Sequence, residues 1–169
     1  MPEIRVNLFG DETLHVPAWR FFCDPARFKL ARTGRRGAKS YTAAKSFIDR
    51  IFSQDWPRWA DAPYNPGVRP GTSAWWTRRA RMHYWVCASE YELLAEPKKY
   101  LMQFIPPELF DHMDTAKGIW WLKGDILIEF KTLHDPSKKV GSGLNGMWIE
   151  EAARVRQDAW PLYLRPALS

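Results

Sequence analysis

Residues 28–52 restrict the possible folds more than any other stretch. Phe28-Lys29-Leu30-Ala31 reads as a short apolar strand. It runs into Arg32-Thr33-Gly34-Arg35-Arg36-Gly37-Ala38-Lys39-Ser40. Tyr41 to Phe52 follow, with Ala44, Phe47, Ile48 and Ile51 at helical spacing. A strand, a glycine-containing loop and a helix in that order suit an anion held at a helix N-terminus. Closure of such a loop by Lys-Ser has one well-defined use. Backbone N–H groups cradle a polyphosphate, Lys39 reaches its terminal phosphates and the Ser40 hydroxyl coordinates magnesium. The loop departs twice from the common G-x-x-x-x-G-K-S/T form. Thr33 holds the first glycine position, with Gly34 next to it, and Ala38 holds the last, with Gly37 beside it. Backbone donors need no glycine, so Ala38 fits if its φ is negative. The competing reading is a basic loop that caps an ordinary helix.

The rest of the chain supplies further elements. Residues 4–8 alternate apolar and polar, and Thr13-Leu14-His15-Val16 follows Gly10-Asp11, which reads as an N-terminal hairpin. Six prolines and glycines between residues 57 and 71 mark a loop or insertion. Tyr84 to Ala88 reads as a buried strand, and Ser89 with Glu92 as a capping box opening a short helix that Pro97 interrupts or restarts. Ile119–Leu122 and Ile126–Phe130, joined by Lys123-Gly124-Asp125, read as a tight hairpin. Met147-Trp148-Ile149 is an apolar strand ending in Glu150-Glu151, and Ala152, Val155 and Ala159 follow at helical spacing.

That acidic pair is the second chemical signal. In nucleotide hydrolases a carboxylate at a strand end holds magnesium, and its neighbour can polarise the attacking water. An acidic helix start, favoured by the helix dipole, is the alternative for the pair alone. Charge agrees with a phosphate-bearing partner. Residues 1–100 carry 17 basic and 10 acidic side chains (+7), and residues 101–169 carry 8 and 9 (−1). Four of those basic residues, Arg32, Arg35, Arg36 and Lys39, lie on the one loop. A hydrophobic fraction of 46% excludes a wholly disordered chain, and no apolar run reaches the ~18–20 residues of a membrane span. Cys23, Cys87 and the four histidines have no metal-ligand spacing.

These pieces together resemble a family. The loop with Arg35 four residues before Lys39 looks like the deviant phosphate loop of large terminase subunits, the ATP-driven motors that package DNA into phage heads. The 119–132 hairpin is similar to the one those ATPases place before their acidic motif. Ile149-Glu150-Glu151-Ala152-Ala153-Arg154-Val155 resembles their apolar-Asp-Glu-Ala-Ala motif, with Glu150 in the aspartate's place. Residues 160–169 look like the segment that follows it. The resemblance covers about residues 26–169, with gaps.

The resemblance implies an α/β fold of the ASCE-like P-loop NTPase type, a mainly parallel sheet flanked by helices. Residues 1–25 would be an N-terminal extension and 26–169 an incomplete ATPase domain, with no nuclease domain. Thr33, Gly34, Arg35, Arg36, Gly37, Ala38, Lys39 and Ser40 would bind ATP. Ser40 and Glu150 would hold Mg, Glu151 would orient or deprotonate water, and Arg35 would stabilise transition-state charge in cis. The implied function is ATP hydrolysis coupled to translocation of double-stranded DNA into a prohead. The implied partners are the portal, the small terminase subunit and further copies in a ring, without a membrane, in the cytoplasm of an infected or lysogenic bacterium. The family continues with a further strand, placed between the phosphate-loop strand and the acidic strand, and then a nuclease domain. This chain stops at Ser169, so the expectation is a truncated motor domain. Residues 132–149 contain no arginine for a neighbouring subunit's ATP; Lys138 and Lys139 are the nearby basic residues. The alternative is a nucleotide- or DNA-binding remnant without turnover. Trp75-Trp76-Thr77-Arg78-Arg79-Ala80-Arg81 suits either DNA contact or an amphipathic surface segment.

Overall fold

The strand Met82–Ala88 (β1) is apolar at nearly every position and buried along almost its whole length. Such continuous runs belong to strands covered on both faces, the usual state of parallel neighbours. The computed structural model, which describes residues 14–32, 38–55, 82–136 and 143–168, places it accordingly. β1 lies between β4 (Ile126–Thr132) and β5 (Gly146–Ile149) and is parallel to both. With β2 (Phe110–Asp114) and β3 (Ile119–Leu122) the sheet order is β2-β3-β4-β1-β5. β3 is antiparallel to β2 and β4, so four of the five strands point one way. The β3–β4 hairpin pairs Leu122 with Ile126, and Gly124 and Asp125 at its turn take φ of 86° and 61°. Asp tolerates that region better than most residues with a Cβ.

Alternation along the strands divides the interior into two layers. Met82, Tyr84, Val86, Trp120, Ile128, Phe130 and Trp148 face one core. Helices α2 (Lys39–Asp49) and α3 (Ala95–Phe104) cover it with Ala44, Phe47, Ile48 and Leu101. The α2 residues are those whose helical spacing marked them in the sequence. Trp85 and Cys87 face the other side, where Ala159, Leu164 and Ala167 of the C-terminal segment pack. A further helix, α1 (Val16–Cys23), precedes these.

Several sequence expectations are corrected. Leu14-His15-Val16 is no strand. His15 Nδ1 accepts from the Ala18 N–H at 3.1 Å and caps α1, and Pro17 suits the first turn of a helix. The other half of that hairpin, residues 4–8, lies outside the described residues. Phe28-Lys29-Leu30-Ala31 forms no strand either. Phe28 and Leu30 are exposed, and Phe28 meets Trp160 edge-on at 5.4 Å. A strand needs a neighbour to satisfy its backbone, and among the described residues β5 pairs only with β1. Just upstream of β5, Leu144 and Leu168 form an isolated parallel bridge.

The Ser89–Glu92 capping box does not form. Ser89 Oγ has no hydrogen-bond partner among the described residues, and a 3-10 turn at Glu92–Leu94 leads into α3 instead. Of the two roles open to Pro97, a restart agrees with α3 and an interruption does not. Pro97 is the third residue, where the helix asks for no N–H. Ala152 to Ala159 is not one helix. A 3-10 turn at Ala152–Arg154 ends at Val155, which is extended at ψ 145°, and a π-helical turn begins at Trp160. Among the described residues no helix is long and apolar enough to cross a membrane. The 57–71 loop and Trp75 to Arg81 lie outside the described residues, as do Lys138 and Lys139.

Candidate nucleotide and metal site

α2 starts at Lys39, directly after Ala38. Ala38 takes φ 51° and ψ 28°, the left-handed region, and its carbonyl accepts the Thr42 N–H at 2.9 Å. The expected negative φ is therefore overturned. The chain must turn sharply into α2, and this position needs the conformation that glycine supplies more cheaply. The methyl side chain of Ala38 caps nothing, and no acidic residue sits in the first turn. The positive end of the helix dipole is thus not neutralised from within α2.

β5 delivers the acidic pair to the same place. Its pairing with β1 ends at Ile149 opposite Cys87, and the Glu150 N–H donates to Cys87 O at 2.7 Å. Glu150 therefore sits at the carboxyl end of two parallel strands, where open α/β sheets bind ligands. Trp148 and Glu150, two apart, share the face towards α2. Phe47 of α2 fills the space between, 5.6 Å from the Tyr84 ring and 6.1 Å from Trp148.

This packing brings together residues 110 apart in sequence. Ser40 Oγ donates to Glu150 Oε1 at 2.5 Å, and Trp148 Nε1 donates to Glu150 Oε2 at 3.1 Å. Burial pushes the Glu150 carboxyl above its ordinary pKa. The bonds from Ser40 and Trp148 oppose this, the neighbouring Glu151 charge adds to it, and Lys39 offsets part of it. Lys39 is half-buried, and its charge is thus felt at Glu150. Beside Ser40 stands an aromatic wall. Tyr41 meets Tyr100 edge-on at 5.5 Å and Phe104 at 5.1 Å, with the buried Lys45 ammonium 4.5 Å from the Tyr41 ring. Burial, then Glu96, then Glu150 raise the Tyr100 phenol pKa, which ties α3 electrostatically to the site.

Lys39, Ser40 and Glu150 are thus gathered as the sequence suggested. Glu151 is adjacent, but its carboxylate pairs with Arg154 Nε at 2.8 Å, and its backbone is left-handed at φ 46°. Thr33, Gly34, Arg35, Arg36 and Gly37 lie outside the described residues. Sequence reasoning missed Trp148 and Tyr100. The alternation of β5 was enough to place Trp148 on the face of Glu150, whereas nothing local pointed to Tyr100. A hydroxyl and a carboxylate oxygen held together are hard donors, which fit Mg²⁺ rather than a thiophilic metal.

No family model matches the chain, and no curated protein sequence matches it. Two solved structures match its fold. One is the Thermus phage P74-26 large terminase ATPase domain, at a TM-score of 0.68 and 13% identity, covering 98% of this chain and 65% of that one. The other is a single-substitution mutant of the same domain, with the same score and identity, covering 95% of this chain and 62% of that one. The chain thus spans less than two thirds of the length of either. A mixed sheet of five strands, flanked by helices and with the acidic strand beside β1, gives this chain the fold of a phage large terminase ATPase domain.

Proposed function

We propose that the chain is a Mg-dependent ATP-binding and hydrolysing domain of a terminase-like DNA-packaging motor. One observation carries this reading: the Ser40–Glu150 contact joins a helix N-terminus to the carboxyl end of a parallel strand. The phosphates of ATP would lie along the turn into α2, with Lys39 against the terminal phosphates. Ser40 and Glu150 would hold Mg, which neutralises phosphate charge when bound. Glu151 would take the proton of the attacking water or orient it, after leaving Arg154. Arg35 would stabilise the transition state from the loop. Double-stranded DNA, the portal, the small terminase subunit and a ring of copies are the partners this reading brings with it, in an infected or lysogenic bacterium.

The Glu151–Arg154 pair favours a second reading, a remnant that binds nucleotide without turning it over. Steady-state phosphate release separates the two. The motor reading expects Mg-dependent hydrolysis that disappears in Lys39→Ala and in Glu151→Gln. Binding without hydrolysis supports the remnant. Absence of ATP binding removes both.

A further inference from the structure

We propose that Trp148 is a positioning residue that makes Glu150 a one-oxygen metal ligand; this rests on the nucleotide-site reading above. Glu150 stands where the resembling motif has an aspartate, and its side chain has one more rotatable bond. A longer carboxylate can turn either oxygen, or both, towards a cation. Here the choice is made by the strand itself. Trp148 Nε1–H donates to Oε2 at 3.1 Å, and Ser40 Oγ–H donates to Oε1 at 2.5 Å. The two oxygens therefore have different surroundings. Oε1 faces the start of α2 and the Ser40 hydroxyl, while Oε2 is turned back along β5.

The indole suits this task for three reasons. It is only a donor, so it cannot itself ligate a cation. It is 7% exposed and held against Phe47, with the two rings inclined at 53°, so its N–H direction is fixed by packing. It sits two residues before Glu150, so the strand's own pleat sets the spacing between donor and carboxylate. Groups outside a metal's ligand set that orient its ligands commonly govern affinity about 10–100-fold.

The test is calorimetric titration of the full chain with ADP, with Mg²⁺ or with EDTA. The proteins are the parent, Trp148→Phe, Glu150→Asp and the double variant. Trp148→Phe is expected to lose about 10-fold of the Mg²⁺-dependent gain in ADP affinity. Its affinity in EDTA should stay within error of the parent, while its unfolding midpoint falls as the Glu150 carboxylate loses a donor. In the Glu150→Asp background, where the shorter side chain does not span both donors, Trp148→Phe should cost nothing further. A full metal-dependent gain in Trp148→Phe overturns the inference alone. So does an equal loss with Mg²⁺ and with EDTA, which marks a merely structural role. A parent that binds ADP equally with Mg²⁺ and EDTA overturns the proposed function and the inference together. If Trp148→Phe does not fold, indole ¹H–¹⁵N spectra of the parent and Glu150→Asp decide. One indole resonance should move upfield in Glu150→Asp, and no change in any indole overturns the inference.

Discussion

Ser40 Oγ lies 2.5 Å from Glu150 Oε1, and this bond links the first turn of α2 to the end of β5. Glu150 is half-buried, so removing its donor leaves a carboxylate oxygen poorly satisfied. Ser40→Ala is expected to destabilise the fold by about 1–2 kcal/mol. It should also weaken ADP binding in Mg²⁺ more than in EDTA. Urea midpoints and calorimetry check the two effects separately. Unchanged values for both would mean that the bond contributes neither to folding nor to the site.

Ala38 holds a left-handed backbone at the entrance to α2. A Cβ there costs about 1–2 kcal/mol. Glycine removes that strain but gives back about 0.5–1 kcal/mol through its more flexible unfolded chain. Ala38→Gly should therefore raise stability by roughly 0.5–1 kcal/mol. Equilibrium denaturation measures it, and a lower midpoint than the parent's would contradict the strain argument.

Glu151 carries a similar left-handed strain at φ 46°, directly after the strand that ends in Glu150. Its ion pair with Arg154 is largely exposed, so it contributes little. Glu151→Gly should therefore be more stable than the parent by up to about 1 kcal/mol while losing hydrolysis. A variant that is less stable, or one that still hydrolyses ATP, would count against this reading of Glu151.

On the opposite face of the sheet Glu129 collects three donors. His83 Nε2 lies 2.6 Å away, Trp85 Nε1 2.9 Å and Lys131 Nζ 2.7 Å. Burial alone would raise its pKa, but the bonds from His83 and Lys131 and their charges outweigh it and lower it to about 2. A depressed carboxylate stabilises the fold fully above its unfolded pKa of 4.5, and the contribution fades as pH falls towards about 2. The shift is on the order of 3 kcal/mol. Urea midpoints from pH 7 to pH 2 should fall steeply below about pH 5 in the parent. Glu129→Gln should start lower and show a flatter acid limb. Parallel curves for the two proteins would remove Glu129 from the acid response.

The sequence was most legible where one element meets one core. Ala44, Phe47, Ile48 and Ile51 repeat at helical spacing because one face of α2 and of the π-helical turn that continues it is buried. Tyr84 to Ala88, most of β1, reads as a strand because both of its faces are covered. It was least legible where a conformation depends on distant partners. Phe28 to Ala31 has strand-forming residues but no strand beside it to pair with among the described residues. Ala152, Val155 and Ala159 are spaced for a helix, yet Ala159 packs on the second sheet face with Leu164 and Ala167, and the chain bends to put it there. The hydrogen-bonding role of His15 was hidden because a cap needs only one ring nitrogen in the right place.

By itself, then, the sequence marked the residues to which the proposed chemistry is assigned. Lys39-Ser40 at a helix start and Glu150-Glu151 at a strand end are short patterns whose residue types and local spacing suffice to identify them. Only the tertiary structure decided how they act together. It brings Ser40 to Glu150 across 110 residues, gives Trp148 the second oxygen and turns Glu151 to Arg154. The physical reason is that the Ser40–Glu150 bond depends on strand order and on Phe47 packing between α2 and the sheet, which local pattern does not specify, while the two shorter-range bonds need the backbone that this packing fixes around Glu150.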